Sequence, residues 1–211
     1  MINPIVTQYN GYRFRSRLEA RWAVLLDAQS IRYEYEKEGF SLPSGSYLPD
    51  FWLPDVWCRS DPGTWLEIKG QPPTGEEHER CLDLCRASGA AVVLQEGLPD
   101  VLYPESQSRS WGYSPPGEGD MPMLLHACPR GHVKFEFPNA YYGCPCQDDS
   151  CRWEADVIKR AVVVAKSADF GRTPAIYDKG SIFVEPKPDE AWWQRFSQSE
   201  EARLLGLMGD G

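Results

Sequence analysis

The chain has 211 residues, of which 42% are hydrophobic and 25% are charged, and its formal net charge at pH 7 is −9. This length allows one full domain with a smaller module, and the composition is ordinary for a soluble globular protein. The acidic balance argues against a high-affinity, non-specific DNA binder. Neither an apolar run of about 18 residues nor a basic-then-apolar leader occurs, so we expect a cytoplasmic protein without a membrane partner.

The first regular element is predicted to be a helix that follows an extended segment over residues 1–12. Ser16 can cap this helix, and Glu19 lies three residues later, which is the spacing of a capping box. Apolar residues then recur at helical spacing, at Leu18, Trp22, Leu25 and Leu26. Glu19 therefore has a structural interpretation, as a cap, beside the metal-binding one considered below.

Three strands are predicted next. Ile31–Glu36 alternates as the first, and a loop over Gly39–Ser46 follows it. The second strand, Tyr47–Leu53, and the third, Thr64–Gly70, form a hairpin around the turn at 59–63.

The hairpin carries charges that strands normally disfavour. Asp50 lies in the second strand, while Glu67 and Lys69 lie two residues apart on one face of the third. Buried charges are costly unless they are paired or bind a metal. Carboxylate oxygens in such a cluster are suited to a hard divalent cation and a neighbouring water.

A second helix and a buried strand follow the hairpin. Thr74 is predicted to cap the helix, its apolar positions include Cys81 and Cys85, and Gly89 ends it. The continuous apolar run Ala90–Leu94 predicts a buried strand beside the third one.

This ordered set resembles the PD-(D/E)XK nucleases, the restriction-endonuclease-like superfamily, and in particular its phage-encoded members. Pro49-Asp50 and Glu67-Ile68-Lys69 match the two halves of the motif, and the segment around Glu19 resembles the family's acidic helix. The resemblance implies an α/β fold with an αβββαβ core and a mixed central sheet over residues 1–97. It also implies that Asp50, Glu67, the Ile68 carbonyl and Glu19 bind Mg²⁺ or Mn²⁺, and that Lys69 positions the attacking water. On this basis we favour the metal role of Glu19 over the cap alone.

Residues 98–120 are rich in Pro, Gly and Ser and are predicted to be a linker or long loop. Residues 121–211 are predicted to hold a small zinc-ribbon-like β module, with a strand over Val133–Phe137, and helical C-terminal segments. The favoured ligands of a structural Zn²⁺ are Cys128, His132, Cys144 and Cys151, with Cys146 in reserve. The alternative is that these cysteines are free thiols in a hairpin. The predicted C-terminal elements are a helix over 154–166, a short strand over 181–185 and a helix over 191–207.

The leading functional hypothesis is a metal-dependent DNA endonuclease that hydrolyses phosphodiester bonds. A basic patch beside the proposed site is predicted to contact DNA and comprises Arg13, Arg15, Arg17 and Arg21. A partner that delivers the substrate, or a homodimer for double-strand cutting, is compatible with the acidic chain. One alternative is a non-catalytic DNA- or protein-binding module that retains a nuclease-like fold and a zinc site. Another is a globular domain whose charges are all structural.

Overall fold

The structure, a computed structural model, describes residues 5–58, 61–98, 109–115, 118–127, 133–136, 155–168, 170 and 176–177. The helices are α1 (Arg17–Ala28), α2 (Gly75–Ser88) and α3 (Ala155–Ser167). The strands up to the second helix are β1 (Thr7–Tyr9), β2 (Tyr12–Phe14), β3 (Glu34–Tyr35), β4 (Phe40–Leu42), β5 (Gly45–Tyr47), β6 (Phe51–Cys58) and β7 (Asp61–Lys69). Those after it are β8 (Ala91–Glu96), β9 (Ser110–Ser114), β10 (Glu118–Pro122), β11 (Leu124–Ala127), β12 (Val133–Glu136) and β13 (Ile176–Tyr177).

The main sheet has eight strands among the described residues, in the order β10-β9-β8-β7-β6-β12-β11, with β3 also paired to β6. The β6–β7 hairpin is antiparallel, whereas β7 and β8 run parallel, so strand orientation in the sheet is mixed. A parallel pair needs a crossover connection, and α2 supplies it. The expectation of an α/β chain with a mixed central sheet is therefore confirmed.

Helices cover both faces of this sheet. On one face, α1 and α3 pack on a core that includes Trp22, Leu25, Phe51 and Phe135, all of them fully buried. On the other face, α2 lays Leu84 and its neighbours against β7, β8 and β9. Burial of side chains this large supplies most of the favourable free energy of folding. Asp50 and Glu67 therefore have little access to water.

The two helices nearest the hairpin begin as their sequences predict. The Ser16 hydroxyl accepts a hydrogen bond from the Glu19 amide at 3.2 Å and caps α1. Thr74 and Glu77 form a complete capping box at the start of α2, and Gly89 ends that helix in the left-handed conformation with φ 66°. Both helices start at the end of the sheet where β7 finishes.

Several predicted boundaries differ from the structure. The first core strand is only the two residues of β3, because its pairing is confined to the start of β6. The predicted loop over residues 39–46 includes the β4–β5 hairpin. The second predicted strand begins four residues later than predicted, at Phe51, so Asp50 precedes β6 rather than lying within it. Both strands of the hairpin extend further toward the turn, because Cys58 still pairs with Asp61.

The segment predicted to be a linker, residues 98–120, includes strand residues in the structure. There, β9 pairs antiparallel with β8, and β10 pairs with β9. From the other side, β12 pairs parallel with β6 and extends the same sheet. Strand edges carry unpaired backbone groups, and these additions satisfy them. The strand predicted from Val133 is confirmed as β12, and the helix predicted from residue 154 is confirmed as α3.

Other predictions fall on residues outside the described ranges. They include the predicted strand over 181–185, the predicted helix over 191–207, and the zinc ligands Cys128, His132, Cys144, Cys146 and Cys151. Within the described part of the chain, no helix is both long enough and apolar enough to cross a membrane.

Candidate functional site

The predicted acidic residues meet where β6 begins and β7 ends. Phe51 pairs with Leu66 in the hairpin, which places Asp50, one residue earlier, beside Glu67. The Ile68 amide donates to Asp50 Oδ2 at 2.8 Å, and the Asp50 amide donates to Glu67 Oε2 at 3.3 Å. The two carboxylates are thus tied to each other's strands. Both residues are buried, with Asp50 3% and Glu67 4% exposed.

Lys69 lies on the same face of β7 as Glu67, as the strand alternation predicts. Its ammonium nitrogen is 2.7 Å from Glu67 Oε1 and 3.3 Å from Glu77 Oε1, in the first turn of α2. Burial lowers the pKa of Lys69, but attraction to Glu67, Glu77 and Asp50 outweighs it and raises the pKa overall. Lys69 therefore stays protonated and acts as a hydrogen-bond donor rather than as a base.

Asp50 is the electrostatically strained member of this cluster. Burial raises its pKa well above the ordinary range, and the nearby charges of Glu67 and Glu19 raise it further. The Ile68 amide and Arg15 oppose this rise without cancelling it. A carboxylate held ionised at such a position is stabilised by any additional cation.

Glu19 is buried at the start of α1, but its contacts are structural. Its Oε1 accepts from the Ser16 hydroxyl at 2.7 Å. Its Oε2 accepts from the Arg15 amide at 3.0 Å and from the Tyr35 hydroxyl at 2.5 Å. These bonds use most of the acceptor capacity of one carboxylate. Glu19 acts on Asp50 electrostatically, because its negative charge raises the pKa of the Asp50 carboxyl.

Arg15 joins the site in a way that its sequence context does not reveal. Its Nη2 is 2.5 Å from Asp50 Oδ1, and its Nε is 2.9 Å from Glu36 Oε1. The basic patch is therefore split: Arg15 lies among the carboxylates, Arg13 is exposed on β2, and Arg17 and Arg21 are half-buried on α1.

Two tyrosines lie beside the carboxylates, although the sequence does not predict either of them as part of the site. Tyr35 orients Glu19, and its ring packs on Phe14 and Phe51 at centroid distances of 4.5 and 5.4 Å. Burial raises the pKa of the Tyr47 phenol, and the nearby charge of Glu67 raises it further. The position of Tyr47 just before Pro49-Asp50 could have indicated that it lies near the site. No local sequence pattern indicates Glu36, the second partner of Arg15.

The donor chemistry of the site fits a hard divalent cation. Asp50 and Glu67 offer carboxylate oxygens from adjacent strands, and Mg²⁺ and Mn²⁺ are commonly bound by one or two carboxylates with waters completing the shell. Among the described residues, no group of three His, Cys, Asp or Glu side chains is placed so that it could hold a metal ion. The fit thus rests on the two strand carboxylates, with Glu19 as their charged neighbour.

No model of a known protein family matches the chain, and no curated protein matches it significantly.

Proposed function

We propose that this protein is a divalent-metal-dependent DNA endonuclease of the PD-(D/E)XK type. The observation that supports this most directly is the arrangement of Asp50, Glu67 and Lys69. Hydrogen bonds from backbone amides hold the two buried carboxylates in place, and the Lys69 ammonium lies 2.7 Å from Glu67. Such a set combines cation-binding oxygens with a positive donor that can orient water or a phosphate.

The residues have distinct roles in this proposal. Asp50, Glu67 and the Ile68 carbonyl hold Mg²⁺ or Mn²⁺, which when bound lowers the pKa of water and neutralises charge on the phosphate. Lys69 donates a hydrogen bond that orients the attacking water. Glu19 fixes α1 and Tyr35 beside the site and adds negative charge near Asp50.

Substrate contact is assigned to the basic residues near the site. Arg13, Arg17 and Arg21 are proposed to meet the DNA backbone, together with Arg15. Phosphate contacts by Lys and Arg make binding salt-dependent, and the net charge of −9 keeps general DNA affinity modest. Cutting both strands requires two active sites, which a homodimer supplies, or successive nicks.

The test is cleavage of labelled linear duplex, single-stranded, flap and four-way-junction DNA at low salt with Mg²⁺ or Mn²⁺. Wild type is compared with Asp50→Asn and Lys69→Met. Asp55→Asn is the matched acidic control, because Asp55 lies on β6 but is exposed and paired with Arg32. Lys166→Met is the matched basic control, because Lys166 is exposed on α3.

The nuclease assignment predicts metal-dependent cleavage by wild type and both controls, and loss of at least about 100-fold in both site variants. Folded protein that binds DNA but leaves every substrate intact would favour the non-catalytic binding module. Equal cleavage by wild type and Asp50→Asn would refute the assigned site.

The zinc module remains part of the proposal. Cys128, His132, Cys144 and Cys151, with Cys146 in reserve, are proposed to hold one structural Zn²⁺. Elemental analysis of protein purified without chelator should find about one zinc per chain. A Cys128→Ser variant should lose it, whereas Cys81→Ser, on the α2 core face, should keep it.

A further inference from the structure

Arg15 contacts the proposed metal ligand Asp50 and a second acid, Glu36, and its Nε also lies 4.0 Å from Glu19 Oε2. Its Nη2 lies 2.5 Å from Asp50 Oδ1 and its Nε lies 2.9 Å from Glu36 Oε1. The Arg15 side chain is 54% exposed, although the Asp50 carboxylate that it contacts is buried. The guanidinium therefore reaches into the site from the solvent side, at the mouth.

The contact falls on the Asp50 oxygen that does not accept the Ile68 amide. Oδ2 accepts the Ile68 amide at 2.8 Å, which ties that oxygen to β7. Oδ1 faces the guanidinium. A divalent cation that binds Asp50 through Oδ1 must compete with Arg15 for it, because two positive groups cannot share so short a contact without strong repulsion.

Glu36 is held beside Asp50 by its own backbone. Its φ is 48°, a left-handed conformation that is costly for a residue with a side chain. Its amide donates to the Asp50 carbonyl at 2.9 Å, so a backbone hydrogen bond to Asp50 helps to hold Glu36 in this conformation. The Glu36 carboxylate is more exposed than that of Asp50, at 28% against 4% of the side chain.

We propose that Arg15 is a resident counter-cation that a divalent metal displaces from Asp50, and that Glu36 retains the displaced guanidinium at the mouth of the site, available to a DNA phosphate. The proposal rests on the proposed metal-dependent function. The Nε contact with Glu36 need not break when Nη2 leaves Asp50. The outer nitrogens are then free to pair with phosphate oxygens, for which the planar guanidinium is well suited. Metal binding would thereby prepare the site for substrate.

The test measures Ca²⁺ binding by titration calorimetry, without DNA, so that it does not depend on cleavage. Wild type is compared with Arg15→Gln, Arg15→Lys and Asp50→Asn. Arg13→Gln is the matched control, since Arg13 is exposed on β2 and its loss changes the charge equally. Circular dichroism verifies that each variant is folded.

Arg15→Gln should bind Ca²⁺ at least about fivefold more tightly than wild type. This is the lower end of the typical coupling between two sites, and we expect it because solvent screens the half-exposed guanidinium. Arg15→Lys should fall between the two, and Arg13→Gln should change affinity less than Arg15→Gln. In the nuclease assay, Arg15→Gln should nevertheless cut more slowly, because the phosphate contact is gone. A rise in metal affinity with a fall in rate is not expected of a residue that only stabilises the fold.

Glu36 is tested by a double-mutant cycle. Glu36→Gln should weaken Ca²⁺ binding when Arg15 is present, because Arg15 then has Asp50 as its main partner, and should have little effect in the Arg15→Gln background. An equal effect in both backgrounds would overturn the role of Glu36. Wild-type binding that Arg15→Gln fails to tighten would overturn the role of Arg15 and leave the nuclease proposal standing. No Ca²⁺ binding by wild type would refute both.

Discussion

The backbone amide of Ile68 donates a 2.8 Å hydrogen bond to Oδ2 of Asp50. This bond fixes the buried carboxylate of Asp50, one residue before β6, to the backbone of β7, so the position of Asp50 depends on the register of the hairpin. Phe51 and Leu66, which pair directly, are both fully buried and hold that register. The apolar core therefore sets the geometry of the charged cluster.

Asp50→Asn should stabilise the fold while it removes activity. Burial, Glu67 and Glu19 raise the pKa of Asp50, so the folded chain keeps this proton to a higher pH than the unfolded chain does. The stability that Asp50 contributes is fully present below its unfolded pKa of about 4 and is lost as pH rises through the folded pKa. Asparagine does not titrate, so its stability advantage over aspartate should grow as the pH rises from 4 to 8.

Urea denaturation near pH 4 and pH 8, without divalent ions, measures this effect. Asp55→Asn is the control with the opposite sign, since the hydrogen bond and charge of Arg32 lower the pKa of Asp55. Its effect should be a small loss of stability at neutral pH, because the pair is exposed. Wild type more stable than Asp50→Asn near pH 8 would contradict the prediction.

Lys69→Met should destabilise the chain more than Glu77→Gln does. Methionine leaves the buried Glu67 carboxylate without its ammonium partner at 2.7 Å, which should cost about 3 kcal/mol. Glu77→Gln leaves the Lys69–Glu67 contact in place, and glutamine can still accept from Thr74 in the capping box. The change therefore removes mainly the longer 3.3 Å ion pair, and its cost should stay below about 1 kcal/mol. Urea denaturation near neutral pH measures both, and equal losses would show that Glu67 does not depend on Lys69.

Local patterns were sufficient to predict the elements that carry the site. The cap residues Thr74 and Gly89 mark the ends of α2, and the apolar run from Ala90 marks β8, because both signals act over a few residues. The shared face of Glu67 and Lys69 follows from strand alternation alone. The sequence predicts Asp50 within the neighbouring strand, whereas it lies one residue before β6, where its amide still reaches Glu67.

The remaining features depend on distant contacts. Ser110–Ser114 forms β9 because it meets the open edge of β8, although its surroundings are rich in turn-forming residues. Arg15 and Asp50 are 35 residues apart, and Arg15 is locally one of several similar arginines. The left-handed Glu36 carries no sequence mark, because Asn and Asp are the residues usually enriched there. The sequence therefore predicts the carboxylates of the site and Lys69, but not the contact of Arg15 with Asp50.

Glu19→Gln should separate the cap role from the metal role. Glutamine can still accept from the Arg15 amide and from Tyr35, and its amide group can donate to Ser16, so stability should stay within about 1 kcal/mol of wild type. Because these contacts dominate, cleavage should fall by less than about tenfold. Glu19→Ala removes all of them and should cost about 2 kcal/mol. A loss of about 100-fold or more in a folded Glu19→Gln variant would instead make Glu19 a metal ligand.

Gly63→Ala should destabilise the hairpin that holds Asp50 and Glu67. Gly63 has φ 93°, and a Cβ there would lie 2.7 Å from the Trp52 ring, which packs on Trp65 at 4.8 Å. Backbone strain and the clash together should cost about 3 kcal/mol. Gly45→Ala is the matched control, because Gly45 has φ 112° but an added Cβ meets nothing within 4 Å. It should cost only the strain, about 1 kcal/mol. Urea denaturation compares the two, and equal losses would show that the Trp52 ring moves aside without penalty.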